Sequence, residues 1–330
     1  MSESTSTIDA CLRGAAERLR RVSPTPRLDA EILLARVLNR PRSYLYTWPE
    51  RALDAPTSAR FEGLLRRREA GEPVAHLSGW REFWSLDLRV DSTTLIPRPE
   101  TELLVTLALA CLQQTPGPVV DLGTGSGAVA LAIAHERPDL AVVATDIEPA
   151  ALALAADNAR RLGLGNIRYR QGDWYQALAA GEDRFQVLVS NPPYLAEEDS
   201  HLRQGDVRFE PRRALVAGED GLAAIRSIIA GAGAHLDAGG WLLLEHGHDQ
   251  AGQVTGLLRA HGFEAVDDHR DGEGRPRVAV GRWPHGTWSI PRGGSVADPQ
   301  ATLSRVLKIR SETSSMGPTP LTVRRLPLAL

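Results

Sequence analysis

The chain has 330 residues, 42% hydrophobic and 24% charged, with a formal charge of −3. That balance suits a folded globular protein with one large domain and a small one, and argues against a disordered chain or a protein that coats nucleic acid over its whole surface. The only two cysteines, Cys11 and Cys111, are far apart and have no histidine at ligand spacing, so neither a disulfide framework nor a metal site is expected. The opening residues are polar and acidic, and no later apolar run approaches the about 20 residues of a membrane span. A cytoplasmic protein without membrane partners is expected.

Residues 8–70 place apolar side chains at helical spacing, as at Leu28, Ile32, Leu33, Val37 and Leu38. They predict several short helices, broken at Pro24 to Pro26, Pro41 and Pro56. From Cys11 to Ala70, 13 Arg stand against 7 Asp and Glu. The excess reads either as solvated helix faces or as a basic docking patch. From Val74 through Trp80, Phe83, Trp84 and Leu88 to Val90 the sequence is aromatic and alternating, which predicts a short hairpin joining two domains.

From Pro118 the pattern becomes strand, turn and helix, repeated. Short β-rich apolar runs at residues 119–120, 141–144, 185–189 and 241–244 read as buried parallel strands. Residues 128–135, 149–162 and 221–236 read as the helices between them, giving an open α/β sheet whose ligands bind at the carboxyl ends of its strands. Residues 263–268 and 277–281 flank a Gly-rich turn and predict an antiparallel edge pair. Beyond residue 284 Gly, Pro, Ser and Thr are scattered without period, and six Lys and Arg face two acids. This tail is expected to be disordered, as a functional extension or one without function. The expected division is therefore 1–72 helical, 73–98 hairpin linker, 99–284 α/β and 285–330 tail.

Val119 to Ala128 places Gly123, Thr124, Gly125, Ser126 and Gly127 between a strand and a helix, a turn whose backbone a ligand can approach closely. The same spacing satisfies a dinucleotide fingerprint, and Asp146, ending the next strand, suits the ribose of either cofactor. Asp121 separates the two readings: a carboxylate at the strand end attracts the ammonium of a methionine moiety and repels a pyrophosphate. Asp173 and Trp174 follow the third strand, residues 167–171, where an indole can cover an adenine and a carboxylate can bind its edge. A buried structural Trp is the alternative. The combination points to S-adenosylmethionine, and no catalytic His or Lys constellation accompanies the glycines as a dehydrogenase would require.

Asn191-Pro192-Pro193-Tyr194 follows the strand at residues 185–190 directly. A planar nitrogen is a poor nucleophile because its lone pair is delocalised, so it must be oriented. The Asn191 side-chain oxygen and the Pro192 carbonyl can accept its two N–H groups, and Pro193 keeps Pro192 out of the helical region. Tyr194 can stack on a planar amide or base and favour positive charge growing on nitrogen. A lone Asn-Pro turn is commonly structural; placed after a strand and downstream of the glycines and Asp146, it reads as a methyl-acceptor site. These residues leave open whether the acceptor is a glutamine amide or a nucleobase.

The sequence resembles the HemK-type release factor glutamine methyltransferases from its N-terminal helices to about Trp283. Besides residues 191–194, the resemblance rests on residues 27–34, 71–79, 206–211 and 244–247, and above all on Leu95-Ile96-Pro97-Arg98-Pro99-Glu100-Thr101-Glu102. It implies a Rossmann-like S-adenosylmethionine methyltransferase domain with a mostly parallel seven-stranded sheet, and a small N-terminal helical domain that docks the substrate. It implies N5-methylation of the glutamine in the Gly-Gly-Gln loop of class I peptide chain release factors. Asp121, Gly123, Thr124, Gly125, Ser126, Gly127, Asp146, Asp173, Trp174 and Asn191 would hold the cofactor. Asn191, Pro192, Pro193 and Tyr194 would hold the glutamine, and Pro97, Arg98 and Glu100 would close the pocket. Nucleic acid is then not an expected partner; the rival reading is an N6-adenine-type amino methyltransferase, which uses the same acceptor geometry.

Overall fold

Four helices open the computed structural model, which describes residues 6–179 and 183–284; the tail expectation for residues 285–330 lies outside the described residues. They are α1 (Ile8–Leu19), α2 (Pro26–Leu38), α3 (Ser43–Thr47) and α4 (Ala55–Glu69). Pro26 and Pro56 start helices rather than merely interrupting them, since a first-turn residue has no intrahelical N–H bond to lose. Asp54 caps α4 by accepting from the Thr57 backbone N–H at 2.8 Å. Ile8, Leu12, Leu33, Leu34, Phe61 and Leu65 pack together as the core of this bundle.

Much of the arginine excess is consumed internally. Arg18 pairs with Glu62 and Glu69, and Arg27 and Arg42 both pair with the buried Glu31. Arg68 is itself buried against Asp29 at 2.8 Å.

The expected hairpin begins later than Val74. Residues Val74–Ser78 form a short helix, α5, and Leu77 joins the core of the helical bundle. Gly79 ends α5 at φ +76°, its N–H donating to the Ala75 carbonyl, a left-handed termination that glycine adopts without a Cβ clash. Strands β1 (Trp80–Phe83) and β2 (Leu86–Arg89) then pair antiparallel.

The remainder runs α6 (Glu102–Gln114), β3 (Val119–Leu122), α7 (Ala128–Glu136), β4 (Val142–Asp146), α8 (Pro149–Leu162), β5 (Ile167–Gln171), β6 (Phe185–Ser190), α9 (Ala223–Ala232), β7 (Leu236–Glu245), α10 (Ala251–Ala260), β8 (Glu264–Arg270) and β9 (Pro276–Arg282). The seven-stranded sheet has the order β5-β4-β3-β6-β7-β9-β8, with β9 antiparallel to both neighbours and the other pairs parallel. From β3 the chain first builds outward through β4 and β5, then returns to place β6 on the other side of β3. That reversal opens a crevice at the carboxyl ends of β3 and β6.

Helices α6 and α10 were not among those expected from the pattern. α6 is apolar around most of its circumference, which hides the amphipathic signal. The helix expected over 221–236 ends at Ala232, and Leu236 already belongs to β7. Gly239 and Gly240 lie within that strand, where Gly239 at φ +79° donates to the Trp283 carbonyl and the pairing with β6 shifts register. Among the described residues no helix is long and apolar enough to cross a membrane, and no acidic, His or Cys cluster could hold a metal ion.

Candidate active site

The crevice holds a cavity of about 170 Å³ bordered by the β3 turn, the end of β4, Trp174 and Asn191. Its floor is the turn after β3. Gly123 has φ +75° and its N–H donates to the Thr145 carbonyl at 2.9 Å; a Cβ there would lie 3.2 Å from the Trp174 indole. Gly127 caps α7 at φ +88°, and a Cβ would come within 2.9 Å of Leu131 and 3.0 Å of Ala155. The first glycine keeps the floor open to a ligand; the second lets α7 approach α8. Asn158 on α8 completes the frame, donating to the Ser126 and Arg89 carbonyls and accepting the Arg89 N–H.

Two carboxylates shape the electrostatics. Asp121, 2% exposed, accepts from the Thr124 hydroxyl at 2.7 Å and from the Ala130 N–H at 3.2 Å. Burial pushes its pKa up to about 7 against those hydrogen bonds, and the charge of Asp146 adds to the shift. Asp146 ties the turn to β4 by accepting from the Gly125 N–H at 2.9 Å and from the Glu148 N–H at 2.9 Å; burial raises its pKa as well. Two adjacent carboxylates at a water-poor wall favour a cationic or hydroxyl-bearing ligand.

Asn191 follows β6 directly. Its Nδ2 donates to Thr101 Oγ1 at 3.1 Å, while its Oδ1 is buried with no hydrogen-bond partner. Pro193 also lines the cavity, and Pro192 is buried. Tyr194 is largely buried; its hydroxyl lies 3.5 Å from Glu245, and its carbonyl accepts from Gln250 at 3.0 Å. Burial, followed by the nearby Glu245 charge, raises the phenol pKa, so the ring remains neutral.

Of the sequence-predicted residues, Asp121, Gly123, Thr124, Gly125, Ser126, Asp146, Asp173, Trp174, Asn191, Pro193 and Pro97 border one cavity. Gly127 supports it from the α7 terminus. Arg98 instead pairs with the buried Glu210, whose other oxygen receives the Ile96 N–H at 3.4 Å. Glu100 sits close enough to affect the charge of Glu245, away from the cavity wall.

Sequence reasoning gave no role to Thr94, Thr101, Arg213 or Glu245. Thr94 and Thr101 line the cavity. Thr94 Oγ1 is buried without a partner. Arg213, also at the wall, pairs with Glu148 across the cleft. Glu245 had a signal in hindsight: a carboxylate closing the wholly apolar run 241–244 must be costly unless something uses it. The open floor over Gly123, the paired carboxylates and the unpartnered Thr94 and Asn191 oxygens fit S-adenosylmethionine, whose ammonium, ribose and apolar base ask for such groups.

The model for the PrmC N-terminal domain matches residues 10–79, and that for the methyltransferase small domain matches residues 100–207. The chain is 51% identical to the release factor glutamine methyltransferase of Vibrio cholerae over 278 residues, covering 84% of this chain and 97% of that protein. It is 52% identical to the Pseudomonas aeruginosa enzyme of the same name over 261 residues (79% and 94%), and 48% identical to that of Escherichia coli over 272 residues (82% and 97%).

Proposed function

The chain belongs to the release factor glutamine methyltransferase family, and on that premise we propose that it methylates the N5 side-chain nitrogen of the glutamine in the Gly-Gly-Gln loop of class I peptide chain release factors, using S-adenosylmethionine. The observation that carries this reading is the buried, unpartnered Oδ1 of Asn191 at the cavity wall. A buried acceptor without a donor costs about 1–3 kcal/mol, and an incoming amide N–H is the donor it lacks.

Asp121 would hold the cofactor's ammonium, Asp146 its ribose, and Asp173 and Trp174 its adenine. When bound, the cofactor supplies an electrophilic methyl group on a sulfonium. Asn191 Oδ1 accepts one N–H of the glutamine amide and the Pro192 carbonyl accepts the other, which turns the nitrogen lone pair towards the methyl group. The two prolines hold those acceptors in place before the substrate arrives. Neutral Tyr194 offers a ring face to the positive charge that develops on nitrogen. Asn191 carries no charge to titrate, so it orients the nucleophile without any proton of its own changing hands. The N-terminal region, residues 1–72, is proposed to dock the release factor.

The test is transfer from methyl-labelled S-adenosylmethionine to a purified class I release factor, with DNA and RNA as parallel acceptors. Label should enter the release factor, be lost when its Gly-Gly-Gln glutamine is replaced, and vanish with Asn191→Ala while cofactor binding is retained. Label on nucleic acid alone would overturn the substrate, and active Asn191→Ala would overturn the role of that side chain.

A further inference from the structure

The two ends of a carboxamide have nearly the same shape but opposite hydrogen-bonding character. Which end of Asn191 faces the cavity therefore decides whether the site offers an acceptor or a donor to the substrate nitrogen. Asn191 Nδ2 donates to Thr101 Oγ1 at 3.1 Å, leaving Oδ1 free. A threonine hydroxyl has a single hydrogen, so it is a dependable acceptor for Asn191 only while that hydrogen is committed elsewhere.

Thr101, 3% exposed at the start of α6, favours the charged form of the neighbouring Glu245 carboxyl. Glu245 ends β7 and is 1% exposed; Tyr194 Oη lies 3.5 Å from its Oε1, and its Oε2 has no partner. An ionised carboxylate with spare acceptor capacity draws the threonine hydrogen to itself. Three groups from three different elements thus meet: Asn191 donates to Thr101, and the Glu245 carboxylate, with one unpartnered oxygen, is the acceptor available to the Thr101 hydrogen.

We infer that Thr101 and Glu245 are positioning residues that lock the Asn191 carboxamide with its oxygen towards the substrate nitrogen. The inference rests on the reading of Asn191 given under the proposed function. Without Glu245 as acceptor, the Thr101 hydrogen can turn to Asn191 Oδ1. The amide then rotates and presents Nδ2, a donor, to a substrate N–H that is also a donor. The fold otherwise gives no reason to bury a carboxylate at the end of an apolar strand.

Protonation of Glu245 has the same effect as its removal, because a carboxylic acid has a hydrogen of its own to give to Thr101. The groups that face it are Tyr194, Arg277, Glu100 and His246, besides Thr101 itself. Burial pushes its pKa up to about 7, opposed by Thr101 and the Arg277 charge. Positioning is therefore present above about pH 7 and lost as the pH falls through that value.

The experiment measures kcat at saturating cofactor with a release factor as acceptor, for the full chain and for Thr101→Val, Thr101→Ser and Glu245→Gln. Thr101→Val should lower kcat by about 100-fold, the scale of a misplaced catalytic group, with unchanged cofactor affinity in calorimetry. Thr101→Ser should restore most of it. Glu245→Gln, which keeps an acceptor oxygen but cannot ionise, should remove the fall in kcat below about pH 7. Wild-type kcat in Thr101→Val, parallel loss of cofactor affinity, failure of serine to rescue, or an intact acidic limb in Glu245→Gln would each overturn the positioning role. Absence of label on the release factor with the wild-type chain would instead overturn the function on which the inference rests.

Discussion

Asn191 Oδ1, Thr94 Oγ1 and Glu245 Oε2 are buried polar atoms without partners, and all three belong to the site or its immediate support. A stable protein carries such costs where a ligand or a mechanism relieves them. Asp121 shows the same tension in its charge. Its folded pKa of about 7 lies above the ordinary carboxylate value because of burial, so within that window the folded chain holds a proton that the unfolded chain has released. Stability contributed by this residue therefore falls as pH rises towards about 7, and the full cost is present above it. Asp121→Asn should raise the melting temperature of the ligand-free protein at pH 8 by on the order of a few degrees, and should weaken cofactor binding. A lower melting temperature than wild type at pH 8 would refute the assigned burial cost.

At the scale of elements, the segment between β6 and α9 is held by its edges. Glu210, buried, receives the Ile96 N–H and pairs with Arg98, fastening the segment to the stretch before α6. Arg213 pairs with Glu148 at the β4 end of the cavity. A loop with few apolar contacts depends on such ties for its local stability. Removing Glu210 leaves the partly exposed Arg98 and the Ile96 N–H without their acceptor. Glu210→Ala should therefore loosen residues 199–214, and limited trypsin digestion should cut faster at Arg203, Arg208, Arg212 and Arg213. Methyl transfer should fall more than cofactor affinity, because Asn191 precedes this segment and Pro97 adjoins its anchor. Unchanged cleavage would show that the anchor does not hold the loop.

Across the whole molecule, Arg68 links the helical bundle to that same segment. From a site 4% exposed it binds Asp29 at 2.8 Å, the Glu72 carbonyl at 3.1 Å and Asp206 at 3.2 Å. Arg208 returns the contact by donating to the Ala70 carbonyl at 2.9 Å. The bundle proposed to dock the substrate is thus wired to the loop beside the acceptor site. Arg68→Ala strands the buried Asp29, and should destabilise the protein by about 3–5 kcal/mol in chemical denaturation. Asp206→Asn, which touches only the exposed end of the link, should leave most of that stability and raise KM for the release factor. A KM unaffected by Asp206→Asn would dissociate the bundle from the acceptor site.

The sequence by itself determined the α/β class, the glycine turn after β3, the acid ending β4 and the placement of Asn191 after β6. All of these are local: strand periodicity, a turn that needs positive φ, and a motif adjoining a strand are written in consecutive residues. Local signals also misled, where Val74 to Ser78 looked like a strand and the helix over 221–236 was carried on to Leu236, the first residue of β7. In both, contacts distant in sequence outweighed local preference: Leu77 packs into the helical core, and Leu236 pairs with Phe185 of β6. Only the tertiary structure decided what surrounds Asn191. Thr101 lies 90 residues before it, and Glu245 arrives on β7 because that strand pairs with β6. Strand order and the reversal at β3 and β6 bring them together. No period or spacing encodes such a meeting, because it is set by which surfaces must be buried against one another.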